Sequence, residues 1–215
     1  MIVERQPGLP SRRPGRPRSD EKHEAILKAA SREFGVSGYR DASMDAIATK
    51  ADVSKRTLYN HFDSKEALFR ALVSELVAKI RGVATIAYHP RKGLHQQLKQ
   101  YALQSIEFTG SPRNLQLLRA VLSEHIRNPA LVEPALATYW ESEYGFTGWI
   151  EAACKDGRLR AKSPVDASHI FASLMRGIVV WPLVLGRADR ISKPREGAID
   201  EAIAMFLKYY AVPRR

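Results

Sequence analysis

Apolar positions along this chain recur near every 3.6 residues in segment after segment, and no run alternates with a period of two. That pattern predicts an all-α protein of about nine helices with no internal repeat. A first helix starts near Ser19 or Asp20, follows Ile26, Leu27, Ala30 and Phe34, and ends before Gly38. Ser43 caps a second helix marked by Met44, Ile47, Ala48 and Ala51, and Ser54 caps a third, with Val53, Leu58 and Phe62 facing inward. Asp63 and Glu66 form a D-x-x-E capping box that opens a fourth helix through Leu68, Leu72, Leu76 and Ile80. After a break at 89–93, one helix runs from about Leu94 to Thr109, and a second follows Gly110-Ser111-Pro112 to Arg127. Asn128-Pro129 starts the longest helix, which reaches about Asp156 before Gly157. Ser163-Pro164 starts a helix that is apolar nearly all round from Ile170 to Leu185, so both its faces should be covered. The last helix, from about Arg195 to Tyr210, carries a stripe of Ile199, Ile203, Phe206, Leu207 and Tyr210.

The second and third helices are short, and only the corner at 52–54 joins them. Two such helices bury little core by themselves, so they need support and present an outer face for use, as in a DNA-reading helix-turn-helix. With Leu58 at zero on a helical wheel and about 100° per residue, Ser54 and Phe62 fall within about 40° of it. Arg56 and Asn60 then point almost opposite, Thr57 and Tyr59 lie on the flanks, and Lys55 and His61 sit at the edges. Arg suits guanine, Asn suits adenine, and the Thr methyl can touch a thymine methyl. Tyr59, His61 and Lys55 have the reach and donors to hold phosphates.

Charge fits that reading. The 215 residues carry a formal net charge of +11, and residues 1–18 hold five Arg against one Glu with almost no apolar content. Such a balance favours polyanions, and the basic segment lacks the apolar face that an interfacial membrane helix requires. No apolar run approaches the roughly 20 residues of a membrane span. The N-terminus has no apolar core of a secretory signal, and one cysteine, Cys154, fits a reducing cytoplasm. The six histidines show no metal-ligand spacing, and neither a phosphate-cradling Gly-rich loop nor a nucleophile elbow is present, so no enzyme, cofactor or metal is expected.

The run TLYNHFDSKEALF resembles the T-L-Y-x-H-F-x-S-K-E-A-L signature of TetR-family transcriptional regulators, with SMDAIATKADVSKR similar to the preceding helix and turn and GYRDAS to the link before them. The likeness covers roughly residues 20–72. It implies base-reading positions at Lys55 and Thr57 with Arg56 between them, backbone-gripping positions at Tyr59 and His61, and phosphate contacts at Ser43 and Lys65. Lys55 therefore stays open between a phosphate, by its angle, and a base, by its position in the family. Where the family's turn usually has Gly this chain has Asp52, a residue that tolerates positive φ, so the corner should survive.

Ahead of the head, Arg12-Arg13-Pro14-Gly15-Arg16-Pro17-Arg18 contains the Gly-Arg-Pro core of AT-hook segments. Pro keeps such a backbone extended while Arg16, with Arg13 and Arg18 beside it, enters a narrow minor groove. The alternative is a solubilising basic tail, and with either role residues 1–18 are expected to be disordered alone. The division that results is a basic arm (1–18), a helix-turn-helix head (19–65) and a helical effector-binding and dimerisation domain (66–215).

Beyond about Thr85 the resemblance implies an effector cavity, and Gln104, Phe108, Trp140, Tyr144 and Arg176 are the candidates to line it, among other aromatics such as Tyr101, Phe146, Trp149 and Phe171. An apolar pocket with a few placed polar groups would take a hydrophobic or aromatic effector. The last two helices, through Ile178, Leu183, Ile199, Ile203, Phe206 and Tyr210, are expected to form a four-helix interface with a second copy. A symmetric dimer places two recognition helices on successive faces of a pseudo-palindromic double-stranded DNA operator. The expected function is a cytoplasmic, ligand-responsive regulator with no membrane partner. Repression released by the effector is the leading mode, against activation by the same fold or low-specificity architectural DNA binding.

Overall fold

Serine caps set five of the helix starts. The computed structural model describes residues 18–141, 144–186 and 196–213. Helices α1 (Arg18–Asp41), α2 (Met44–Lys50), α3 (Lys55–His61) and α4 (Lys65–Ala84) are followed by α5 (Leu94–Gly110), α6 (Pro112–Arg127), α7 (Pro129–Glu141) and α8 (Tyr144–Lys155). Helix α9 (Pro164–Met175) continues through a π-helical segment (Arg176–Val180) into α10 (Trp181–Val184), and α11 (Glu196–Tyr210) closes the chain. The Oγ atoms of Ser43, Ser54, Ser64, Ser111 and Ser163 each accept from backbone N–H groups of the turn that follows. The arm residues Arg13 and Arg16 lie outside the described residues, and of Arg18, Trp140 and Tyr144 only the backbone is described.

The first helix breaks where expected, at Gly38 with φ 75° and ψ 173°, and a short further helical stretch counted within α1 runs on to Asp41. One boundary differs from expectation. Ser64, not Asp63, caps α4, with Oγ accepting from the Ala67 N–H at 3.1 Å. With Ser64 as the cap, Glu66 is one position short of closing a capping box, and its carboxylate accepts from Tyr39 Oη at 2.9 Å. The long helix expected from Asn128 to Asp156 is described as α7 and α8, on either side of residues 142–143, which lie outside the described residues. The α7 side chains pack into the first core and those of α8 into the second.

The first core gathers Ile26, Phe34, Ile47 and Leu58 from the head with Leu68, Phe69 and Leu72 of α4, Leu117 and Val121 of α6, and Val132 of α7. It runs across residue 65, so head and α4 share one apolar interior. The second core joins Leu98 and Tyr101 of α5, Phe146 and Trp149 of α8, Phe171 and Met175 of α9, Val179, and Ile203 and Phe206 of α11.

Pro182 accounts for the π-helical segment before it. It lacks an N–H and its ring crowds the carbonyl four residues back, so the preceding turn loosens. The run Pro164–Val184 is 21 residues long, with a mean hydropathy of 1.4 over its most apolar window, long and apolar enough by composition to resemble a membrane span. The expectation of no such length counted only contiguous apolar residues. In the fold this helix interleaves polar Asp166, His169 and Arg176 and sends Phe171, Met175 and Val179 into the second core. Leu174, Ile178, Val180 and Leu183 pack partly against the same core, while Val165, Ile170 and Trp181 are exposed, so one face is left open.

Candidate nucleic-acid interface

The recognition helix α3 is seven residues long, and its placement comes entirely from neighbours. Leu58 is 0% exposed and Phe62 is buried, while Arg56, Tyr59 and Asn60 are exposed and Thr57 and His61 half-buried. The wheel had separated the same sides. Asp52 takes φ 53°, the single positive φ at a non-glycine among the described residues, so an aspartate holds the corner where the family has glycine. Thr57 Oγ1 lies 2.9 Å from Ser54 Oγ, which ties the cap to the first turn and fixes the Thr rotamer. His23 of α1 stacks on Phe62 with ring centroids 4.9 Å apart and stands 5.8 Å from His61.

Ser43 has a structural duty at the start of α2: its Oγ accepts from Asp45 N–H at 3.2 Å and Ala46 N–H at 3.4 Å. Its own N–H donates to Glu33 at 3.4 Å, and Glu33 is also paired with Lys50. Glu33 is buried, and the Lys50 ammonium holds its carboxyl below the usual range despite burial. The partners stand 17 positions apart, so no local signal marks them.

Lys65 is more occupied than a phosphate anchor need be. Its Nζ donates to the carbonyls of Arg40 at 2.8 Å and Ala42 at 3.2 Å and lies 4.9 Å above the Tyr39 ring. An ammonium has three donors, so one remains for an outside acceptor. Burial first, then the bond to Glu66, pushes the Tyr39 hydroxyl up to about 12. Helix α1 also lies along α6: Arg113 Nε donates to Ser31 Oγ at 3.1 Å, and Arg40 approaches the buried Glu124 at 4.0 Å. A Cβ on Gly35 would meet Gln116 Cβ at 3.0 Å, so any larger residue there would have to push Gln116 back by a few tenths of an ångström.

Farther along, four of the aromatics in the expected effector region, Tyr101, Phe146, Trp149 and Phe171, pack on one another in the second core. Phe146 stacks on Trp149 and on Phe171 at centroid distances of 5.5 and 5.0 Å, with Tyr101 4.7 Å from Phe146. Trp149 Nε1 donates to the buried Gln97 at 3.1 Å, so even its polar edge is satisfied within the core. An open groove of about 540 Å³ lies instead at the end of α4, lined by Lys79, Gly82, Val83, Thr85, Gln104, Glu107 and Phe108. Gln104 and Phe108 thus meet there. Arg176 stands outside that lining, with Nη2 donating to Ser173 at 3.1 Å.

The expected dimer residues divide. Ile199, Ile203 and Phe206 are buried in the chain's own second core, which removes them from any surface. The hydrophobic stripe of α11 faces its own α5 and α9, and the side left open carries Met205, 61% exposed, and Tyr209, 81% exposed. Ile178, Leu183 and Tyr210 are half-buried.

A polar-faced short helix, seated on a helix-turn-helix core and carried by a larger helical body, is the architecture of a DNA-binding regulator. Residues 26–72 match the model of bacterial regulatory proteins of the tetR family, and residues 96–212 match that of the AefR-like transcriptional repressor C-terminal domain. The chain is 31% identical over 169 residues to the uncharacterized HTH-type transcriptional regulator YhgD of Bacillus subtilis (strain 168), covering 75% of this chain and 84% of that one. The crystal structure of a TetR family regulator from Pseudomonas syringae pv. tomato str. DC3000 is 35% identical, with a TM-score of 0.73 over 90% of this chain and 99% of that one. The Flavonoid-responsive Regulator FrrA is 29% identical, with a TM-score of 0.69 over 91% of this chain and all (100%) of that one. The chain belongs to the TetR family: it is a transcriptional regulator with a helix-turn-helix DNA-binding domain, and not an enzyme.

Proposed function

We propose that this protein is a cytoplasmic repressor that binds a pseudo-palindromic operator as a homodimer and leaves it when a small, apolar or aromatic effector binds. The observation that carries the reading is that one helix spans both ends of the device. Lys65 at the start of α4 holds the carbonyls that end α1, and Lys79 and Gly82 near its other end line the groove with Gln104 and Phe108.

In this reading Arg56, Thr57 and Asn60 read bases, while Tyr59, His61, Ser43 and the third donor of Lys65 hold phosphates. The arm residues Arg13, Arg16 and Arg18 add minor-groove or phosphate contacts. Phe108 supplies the apolar wall of the effector site and Gln104 and Glu107 its polar points. The flavonoid response named for FrrA and the repressor domain matched by residues 96–212 both favour this class of effector and this sign of regulation. Ile170, Trp181, Met205 and Tyr209, with the partly open Ile178, Leu183 and Tyr210, form the dimer face. An effector shifts the balance only by binding the DNA-free arrangement more tightly.

The test is a gel shift on the DNA upstream of the protein's own gene, run with and without a flavonoid panel, beside a promoter–reporter assay. A sequence-selective complex that a flavonoid dissolves, together with reporter expression that rises on gene deletion, is the expected result. A reporter that falls on deletion would make the protein an activator. Equal affinity for operator and random DNA would leave only an architectural role.

A further inference from the structure

Lys55, the first residue of α3, is not free at the outward surface. Its Nζ lies 2.5 Å from Asp45 Oδ2, in the first turn of α2. Both side chains remain mostly in water, at 65% and 59% exposure, so the pair adds little to stability. Its meaning lies in where the charges stand. The pair bridges the two helices of the helix-turn-helix beside Ser43 and Arg56, on the side that would approach a polyanion. A carboxylate there is unfavourable for phosphate contact, and it cancels the one lysine that α3 carries.

We infer that Asp45 is a positioning residue for sequence discrimination: it holds the Lys55 ammonium away from phosphates and leaves it for a base edge. The inference rests on the proposed reading of α3 as the helix that enters the major groove. A compact, mobile ammonium gains on any phosphate of any sequence, whereas beside a carboxylate its charge toward phosphates is offset and its position is restricted, so what remains is a placed donor that counts where a base-edge acceptor such as guanine O6 or N7 lies within reach. The pair would thus lower non-specific affinity more than it lowers operator affinity. An acid in the first turn also favours the α2 dipole, a purely structural role that makes no reference to Lys55.

The experiment uses the full chain and two 30-base-pair duplexes, one selected by the wild-type protein from a random library and one a shuffled sequence of the same composition. Asp45→Asn should raise affinity for the shuffled duplex about three- to tenfold near 0.1 M salt and steepen its log–log salt dependence by about 0.9, the signature of one more neutralised phosphate. The preference for the selected duplex should fall by a similar factor. Asp45→Glu should keep the wild-type slope, and Asp45→Asn in a Lys55→Met background should change neither slope nor preference. The same steepening with Lys55 absent would show that Asp45 merely repels phosphates and would overturn the inference, as would an unchanged slope with Lys55 present. Arg56→Ala is the control for the underlying reading. If it leaves the preference intact, α3 does not read the groove, which is a separate failure from that of Asp45.

Discussion

Helices α3 and α11 bury their inner stripes in the same way and differ in what they leave outside. Leu58 and Phe62 fix α3 to the first core, and Ile199, Ile203 and Phe206 fix α11 to the second. Outward, α3 presents Arg56, Tyr59 and Asn60, a set of directional donors and acceptors. Helix α11 presents Met205 and Tyr209, and Ile170 on α9 and Trp181 on α10 are exposed as well. Hydrogen-bonding groups stay solvated at no cost until a polar partner arrives, whereas exposed apolar area favours being covered. In the proposed reading the first surface meets nucleic acid and the second another copy of the chain.

Breaking the inner side of α3 should cost most. Leu58→Ala removes a fully buried side chain and should destabilise the protein by about 2–5 kcal/mol in denaturant melts, with the head losing DNA binding as it loses shape. A cost near zero would mean that the first core does not hold the recognition helix. The outer side of α11 should answer differently. Met205→Asp with Tyr209→Asp should leave the fold intact by circular dichroism, turn a dimer into a monomer in light scattering, and weaken operator binding about 100-fold through lost bivalency. A variant that stays dimeric would move the interface elsewhere.

The outer face of α3 should show smaller, sequence-dependent effects. Arg56→Ala should cost about 1–3 kcal/mol at the selected site and relax preference at one base pair. Lys65→Ala should weaken all sequences alike, and it should also lower the melting temperature, because its ammonium bonds the Arg40 and Ala42 carbonyls. No change in melting temperature would make Lys65 a phosphate ligand alone.

The smallest effect tests the support beneath α2. Glu33→Gln should cost about 1–2 kcal/mol at neutral pH through the weakened bond to Lys50. The native Glu33 carboxyl lies below its usual range, so its contribution is complete above the ordinary glutamate pKa of about 4.3 and is lost as pH falls through the lowered native value. The gap between wild type and variant in melting temperature should therefore close in acid. A gap that stays constant to pH 3 would assign the loss to packing.

Much of the head was legible because its signals are local. The serines at 43 and 54, the inward spacing of Leu58 and Phe62, and an aspartate able to take φ 53° at position 52 each act within one turn of chain. The effector region was not, since aromatic residues such as Phe146 and Trp149 look alike in sequence whether they line a cavity or fill a core. Nor could the buried stripe of α11 be told from a dimer face, because both are apolar at helical spacing. Of the expected lining residues, Gln104 and Phe108 share a groove, while Arg176 stands apart from it.

The sequence by itself determined the all-α class, most of the helix starts in the head, the sides of the recognition helix and the basic character that suits DNA. Those depend on periodicity, caps and charge, which act at short range along the chain. Only the tertiary structure decided that Lys65 clamps the end of α1, that Lys55 answers to Asp45, that Glu33 anchors α2, and which apolar stripe stays outside. Each of those joins residues from different helices, and which side chains meet is set by packing of the whole and not by any segment alone.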